Sequence, residues 1–308
     1  MQKNIRNYIE MIDDLRREYN FTVENLCENI MSPRYYRRIL SGERNISHKH
    51  IEKFCDRLKV SESDFYYQAS VRDRTELKRI YTLYNMIYTR DYTNFMTEMK
   101  KIKPEKFTTI QNEKFFNYCL QRMYFVKDKV MKKDILINLY KLFDYPKSLD
   151  KKSFDFVDIH ILMLIAEIQV KLNDETALNK LIDILNNRIS ILVSSESSHV
   201  MATVYANTAL FLLRLKKYEE SRNIATNGLE HSRKHNDVSS LAHLKYCKAY
   251  SNYKLGNKLE AEIDAIKCLS CSIAKSNKTE FDIFFNEFKK LFNMNPFDLF
   301  KKHDKDIF

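Results

Sequence analysis

The sequence predicts an all-α protein: a five-helix head followed by a long series of antiparallel helix pairs. Three observations predict it. Glycine and proline number only 3 and 4 in 308 residues, against roughly 7% and 5% in average usage. Parallel α/β folds and β-sandwiches need both residues in their turns, so neither class fits. The three glycines, Gly42, Gly228 and Gly256, stand far apart, which excludes the clustered glycines of a dinucleotide fingerprint or a P-loop. Apolar residues recur at helical spacing along most of the chain, as a buried helix face requires.

The head comes first. Ile5, Ile9, Ile12 and Leu15 mark one helix, ending near Asn20. Thr22 is a natural N-cap for a second over Val23–Ile30, with Val23, Leu26, Cys27 and Ile30 inward. Its hydroxyl can accept from a free N–H of the first turn. Ser32 caps a third, with Pro33 at the first helical position, where a missing N–H costs nothing. That helix is expected to stop at Gly42, a suitable left-handed cap. Ser47 opens a fourth helix to Leu58, and Ser61 a short fifth through Phe65. Five short helices, the second and third joined by a tight turn, make a helix-turn-helix domain.

Thr22-Val23-Glu24-Asn25-Leu26-Cys27, Met31-Ser32, Tyr36, Ile39, Ser41-Gly42-Glu43-Arg44-Asn45-Ile46-Ser47 and Leu58-Lys59-Val60-Ser61 resemble the phage-repressor-type (XRE/Cro) helix-turn-helix. The resemblance runs from about residue 10 to 66. Two positions depart from it: Val23 stands where that family usually has a backbone-contacting Gln, and Ile30 where its turn is usually Gly.

On the third helix, Tyr36, Ile39 and Leu40 are spaced to pack inward. Arg34, Arg37, Arg38 and Ser41 then share the outer face with Tyr35 on its flank, and no acid lies between Glu28 and Glu43. Guanidinium groups bind guanine O6/N7 bidentately and also bridge phosphates. The positive helix N-terminus at Ser32 and Pro33 attracts anions. Arg44 and Asn45, in the following loop, are placed to reach the DNA backbone. A solvated basic face on a protein-binding domain is the alternative reading. Residues 1–70 are nearly neutral overall, with 12 Lys/Arg against 11 Asp/Glu, whereas residues 71–150 carry 17 against 10.

Residues 71–308 read as consecutive helices, with approximate segments that include 74–89, 175–192, 199–215, 218–235, 239–254, 258–276, 279–292 and 296–303. Within them the chain repeats at an offset of 40 residues. Tyr205, Ala209, Leu212, Lys217-Tyr218-Glu219-Glu220-Ser221, Ala225 and Gly228-Leu229 are echoed by Lys245, Ala249, Asn252, Asn257-Lys258-Leu259-Glu260-Ala261, Ala265 and Cys268-Leu269. Small residues at Ala209, Ser221, Gly228 and at Ala249, Ala261, Cys268 let paired helices approach closely. The pattern resembles tetratricopeptide (TPR) repeats with an extended turn near His231–Val238. Leu172-Asn173-Asp174 and the leucines after it fit a degenerate earlier repeat.

An XRE-type head with a TPR-like body is similar to the Rgg/PlcR-like (RNPP) peptide-pheromone receptors of Gram-positive bacteria. That resemblance implies a homodimeric transcription regulator that reads a double-stranded DNA operator and binds a short signalling peptide on the body's concave face. Thr203, Asn207 and Leu210, then His243, Tyr246, Tyr250 and Tyr253, are the candidates there; ordinary core packing is the competing reading for each. The Phe-rich stretch from Phe281 to Phe300 reads as a cap on the solenoid or a dimer seam. A protein antirepressor in place of the peptide, or a scaffold whose head no longer binds DNA, are the rival functions.

No catalytic motif, cofactor or metal is expected. Cys268 and Cys271 form a CxxC inside a helix, without a second ligand pair. Six scattered cysteines and a charged start without an apolar leader core point to a cytoplasmic location. The longest apolar run, Ile161–Ala166, is far short of the ~20 residues of a membrane span, so no membrane partner is expected.

Overall fold

A computed structural model of the chain describes residues 4–102, 107, 109–128, 130–186, 190–192 and 200–303. The described residues form sixteen α-helices, one 3-10 turn and one pair of three-residue strands. They divide into two compact units, Met1–Met131 and Lys132–Phe308.

The first unit opens with α1 (Asn4–Glu18), α2 (Val23–Cys27), α3 (Pro33–Leu40) and α4 (His48–Leu58). The expected caps are in place: Thr22, Ser32 and Ser47 each accept from the backbone N–H three residues on. One core holds the four helices and the turn after Ser61, built on Ile9, Ile12, Leu26, Tyr36, Ile39, Phe54 and Phe65. Helix α2 is shorter than the sequence predicts, because Asn29 rather than Ile30 takes the left-handed conformation, at φ 58°. Asparagine tolerates that region far better than a β-branched residue. A second difference lies further on. The short helix at Ser61 and the one expected at 74–89 are a single helix, α5 (Glu62–Tyr88). With α6 (Tyr92–Met99) and α7 (Ile110–Lys127) it completes the unit, Tyr81 and Tyr84 packing on Phe115.

The second unit begins with α8 (Lys132–Phe143), then a short parallel pair, β1 (Ser153–Asp155) and β2 (Ser190–Leu192). The strand pair was not anticipated; the expected helix 175–192 ends at Leu185 instead. Helix α9 (Phe156–Val170) is buried on nearly every side and pairs with α10 (Thr176–Leu185). The repeat follows as α11 (Val200–Arg214) with α12 (Tyr218–Lys234), and α13 (Leu241–Lys254) with α14 (Lys258–Ala274). Helices α15 (Lys278–Phe292) and α16 (Pro296–Lys302) close the unit. Phe284, Phe288 and Leu299 seal α13 and α14 in a shared apolar cluster.

The 40-residue offset is a structural period. Lys217 N–H donates to Leu212 O and Asn257 N–H to Asn252 O, both at 2.9 Å, and Lys216 and Gly256 are both left-handed. Gly228 is needed where it stands: a Cβ there would lie 2.7 Å from Leu244 Cδ2 and 2.8 Å from Tyr205 Cβ. Its counterpart Cys268 has room, and its thiol donates to Ala242 O at 3.1 Å.

Candidate functional site

Helix α3 is fixed from beneath by polar contacts that spacing alone did not reveal. The Tyr36 hydroxyl donates to Asp13 Oδ1 at 3.0 Å, and Arg16 Nε to the same oxygen at 2.7 Å. Arg17 closes on Oδ2 at 2.7 Å. Burial opposes the ionisation of Asp13, but the bonds from Arg16 and Tyr36 and the two guanidinium charges outweigh it and hold the carboxyl below its usual range. Burial and the adjoining Asp13 push the Tyr36 phenol up, so it remains a donor. Arg57 of α4 locks the other end of the motif, donating to Asn25 O at 2.6 Å and Glu28 O at 2.8 Å. Those two carbonyls are at the exposed end of α2, where no intrahelical donor reaches them. Asp13, Arg16 and Arg57 are the positioning residues that sequence reasoning missed. An acid three residues before an arginine on an otherwise apolar face was the available signal.

Above this base the expected face is present. Ser32, Arg34, Arg37, Ser41, Arg44 and Asn45 are exposed, and Tyr35 and Arg38 half-buried. The guanidinium groups of Arg34 and Arg44 make no hydrogen bond or ion pair among the described residues. Arg37 Nη2 meets Glu24 Oε1 at 3.0 Å. Arg38 Nε meets Glu43 Oε2 at 3.0 Å, and the Ser41 hydroxyl reaches the other oxygen of Glu43 at 3.1 Å. The acid beside Arg38 is therefore Glu43, across the loop. Hydrogen bonds from Arg38 and Ser41 lower the pKa of Glu43. The Tyr35 ring stands edge-on to His50, whose Nδ1 lies 3.0 Å from the Ser47 hydroxyl.

In the second unit the candidate residues fall into two groups. On α11, Asn207 donates to Thr203 O at 3.0 Å and to Met163 Sδ at 3.4 Å, and Leu210 joins the core between α11, α12 and α13. On α13, Tyr246 stacks on Phe284 at 5.0 Å and Tyr253 stands edge-on to Phe292 at 5.3 Å. His243 meets Phe284 edge-on, and its Nδ1 lies 3.7 Å from Glu280. Tyr250 is the least committed ring, near Tyr246 and under the Lys254 ammonium at 5.5 Å. Burial raises the Tyr246 phenol pKa beyond its ordinary value. Among the described residues no group of three His, Cys, Asp or Glu side chains is placed to hold a metal, and no helix is long and apolar enough to cross a membrane.

A capped helix-turn-helix joined in sequence to paired antiparallel helices defines the class of fold. No protein-family model matches the chain, and neither does any curated protein sequence. Solved structures do. The PlcR regulator of Bacillus thuringiensis, crystallised with the peptide PapR7 and DNA, aligns with a TM-score of 0.60 at 18% identity, over 93% of this chain and all of that one. The competence regulator ComR of Streptococcus vestibularis, in complex with its cognate signalling peptide XIP, aligns at 0.56 and 15% identity, over 93% of this chain and 98% of that one. ComR of S. thermophilus, with DNA and its signalling peptide ComS, aligns at 0.50 and 14%, over 90% and 97%. The chain has the fold of these regulators across nearly its whole length, and the resemblance stated from the sequence holds for that fold.

Proposed function

We propose that the chain is a sequence-specific DNA-binding transcription regulator controlled by a short signalling peptide held by its helical repeats. One observation carries the DNA assignment. A helix of eight residues is bolted to the head's core through Tyr36 and Asp13 while presenting Arg34, Tyr35, Arg37 and Arg38 outward. Fixing a reading helix in advance lowers the ordering cost of docking it in a major groove. The peptide assignment is supported by the fold shared with PlcR and ComR, each crystallised with a peptide. DNA reading is assigned to residues 1–70 and sensing, with dimerisation, to 71–308. Thr203, Asn207, Leu210, His243, Tyr246, Tyr250 and Tyr253 form the proposed peptide face, in a cytoplasmic homodimer without a catalytic role.

Electrophoretic shift on the DNA upstream of the chain's own coding sequence tests the first part. A retarded band that survives excess unrelated DNA is expected; its absence in a folded protein leaves a scaffold. Light scattering tests the dimer, which should weigh twice the 37.0 kDa monomer, since two heads are needed to span half-sites about one helical turn apart.

A further inference from the structure

The two repeats make matching turns and then diverge. Asp237 N–H donates to Ser232 O as Asn277 N–H does to Ser272 O, and Asn236 and Ser276 are left-handed at φ 52° and 53°. After the second turn, Glu280 brings a carboxylate oxygen to 3.2 Å from the Ser272 hydroxyl. Phe281, Phe285 and Phe288 then join Ile266 and Leu269 in one apolar cluster. After the first turn, 40 residues earlier, the corresponding residues are Ser240, Leu241, Lys245 and Lys248.

Neither the carboxylate nor the rings have a substitute there. Ser232 is only 2% exposed, yet its hydroxyl has no hydrogen-bond partner, an arrangement that folded proteins seldom leave standing. Beside it a cavity of about 410 Å³ opens between α12 and α13, with Leu229, Val238 and Leu241 among its walls. Its charges are mixed. Lys245 and Lys248 are both held by the buried Asp264, at 2.9 and 3.5 Å. Asp237 accepts from Ser239 N–H at 2.8 Å, and Glu230 also lines the space. Arg233, exposed at the rim, makes no ion pair among the described residues.

We propose that this cavity binds a carboxylate carried on an apolar, preferably aromatic, body. The second repeat shows the ligand's chemistry within the chain itself: a carboxylate on the serine hydroxyl, with rings against the leucine and isoleucine of α14. In the first repeat Ser232 and Arg233 take the carboxylate, and Leu229 and Leu241 the body. The carboxylate is either the end of a peptide ending in an aromatic residue or a free small acid. The site is separate from the proposed peptide face, where His243, Tyr246 and Tyr253 of α13 pack on α15.

Calorimetry on the full chain tests this with 3-phenylpropionate and acetyl-Gly-Gly-Phe, each against its carboxamide. At least one acid should bind about tenfold tighter than its amide, the ratio expected for one charge-assisted contact. Ser232→Ala should weaken that binding several-fold, and Ser240→Glu, which supplies the carboxylate internally, should abolish it. Binding of the tripeptide alone identifies a chain end, and of phenylpropionate alone a small acid; both uphold the site. Equal affinity for acid and amide, wild-type affinity in folded Ser232→Ala, or no binding at millimolar concentration overturns it. Operator binding is not read, so failure here leaves the DNA assignment standing.

Discussion

On α3 the outward arginines are free or held by exposed ion pairs, while Tyr36, turned inward, is tied to a buried carboxylate. On α13 the relation is different: Tyr246 and Tyr253 already rest on Phe284, Phe288 and Phe292. The first surface can meet a partner by exchanging nothing more than exposed ion pairs. The second can gain a peptide only by adding to, or exchanging, ring contacts that the unit already makes, so its occupancy is linked to its own packing. A ligand shifts a conformation only by differential affinity, and exchange of packed rings is one source of it. The proposed reading surface stands on a rigid base, and the candidate sensing surface is built from contacts that can be remade.

The largest expected effect tests the rigid side. Asp13→Ala strands the Tyr36 hydroxyl and leaves Arg16 its bond to Phe21 O without a counter-charge, and should cost about 3 kcal/mol of stability, read by chemical denaturation of the chain. Since the native carboxyl titrates below its usual range, its contribution is present above the unfolded value of about 3.9. It is lost as pH falls through the lower native value. Asp13→Asn should therefore lose stability at neutral pH and show a weaker acid dependence than wild type. A next, smaller effect concerns the repeat. Gly228→Ala forces a Cβ against Leu244 and Tyr205, and overpacking of roughly 1–3 kcal/mol should exceed the helix-propensity gain of about 1 kcal/mol. An unchanged or raised melting temperature would show that α11, α12 and α13 can part without cost.

These sites also mark what was legible in advance. Thr22, Ser32, Ser47 and Ser61 were readable because capping is local chemistry, a hydroxyl meeting an N–H three residues on. The repeat was readable because small residues recur at contact points. Helix ends elsewhere were not. Among the described residues eleven other than glycine take positive φ, including Asn20, Lys59, Arg90, Asn173 and Lys216, so the stop signals did not look like glycine. Nothing breaks the helix between Phe65 and Glu76, so the short helix and the one expected at 74–89 run together. Asp13 and Glu43 escaped because their partners are set by tertiary approach and by the loop path, which spacing does not encode.

Comparison of Tyr246 with Tyr250 sharpens the contrast within the second unit. Tyr246→Ala should destabilise the chain by more than 1 kcal/mol through lost packing on Phe284 and Phe288, whereas Tyr250→Ala should fall within about 0.5 kcal/mol. If Tyr250 and Asn207 belong to the peptide face, their alanine variants should keep unliganded DNA binding and lose response in a titration with the cognate peptide. Wild-type response in both removes those two residues from the face.

The smallest difference expected is between two arginines of α3, Arg34 and Arg38. Arg34, without an internal partner among the described residues, is placed to read a base, and Arg34→Ala should cost operator affinity by roughly 1–3 kcal/mol while sparing scrambled DNA. Arg38 is different: any phosphate contact it makes competes with Glu43, whose carboxylate it already holds. Arg38→Ala should therefore weaken operator and scrambled DNA alike and flatten the salt dependence by less than the one unit of an unpaired phosphate contact. Glu43→Gln releases the guanidinium, so it should tighten both DNAs and steepen that slope. Measuring the two variants and their double mutant at two salt concentrations closes the cycle. If Glu43→Gln changes nothing while Arg38→Ala still weakens binding, Arg38 leaves Glu43 at no cost on docking. If neither changes anything, Arg38 does not touch DNA and reading falls to Arg34, Tyr35 and Arg37.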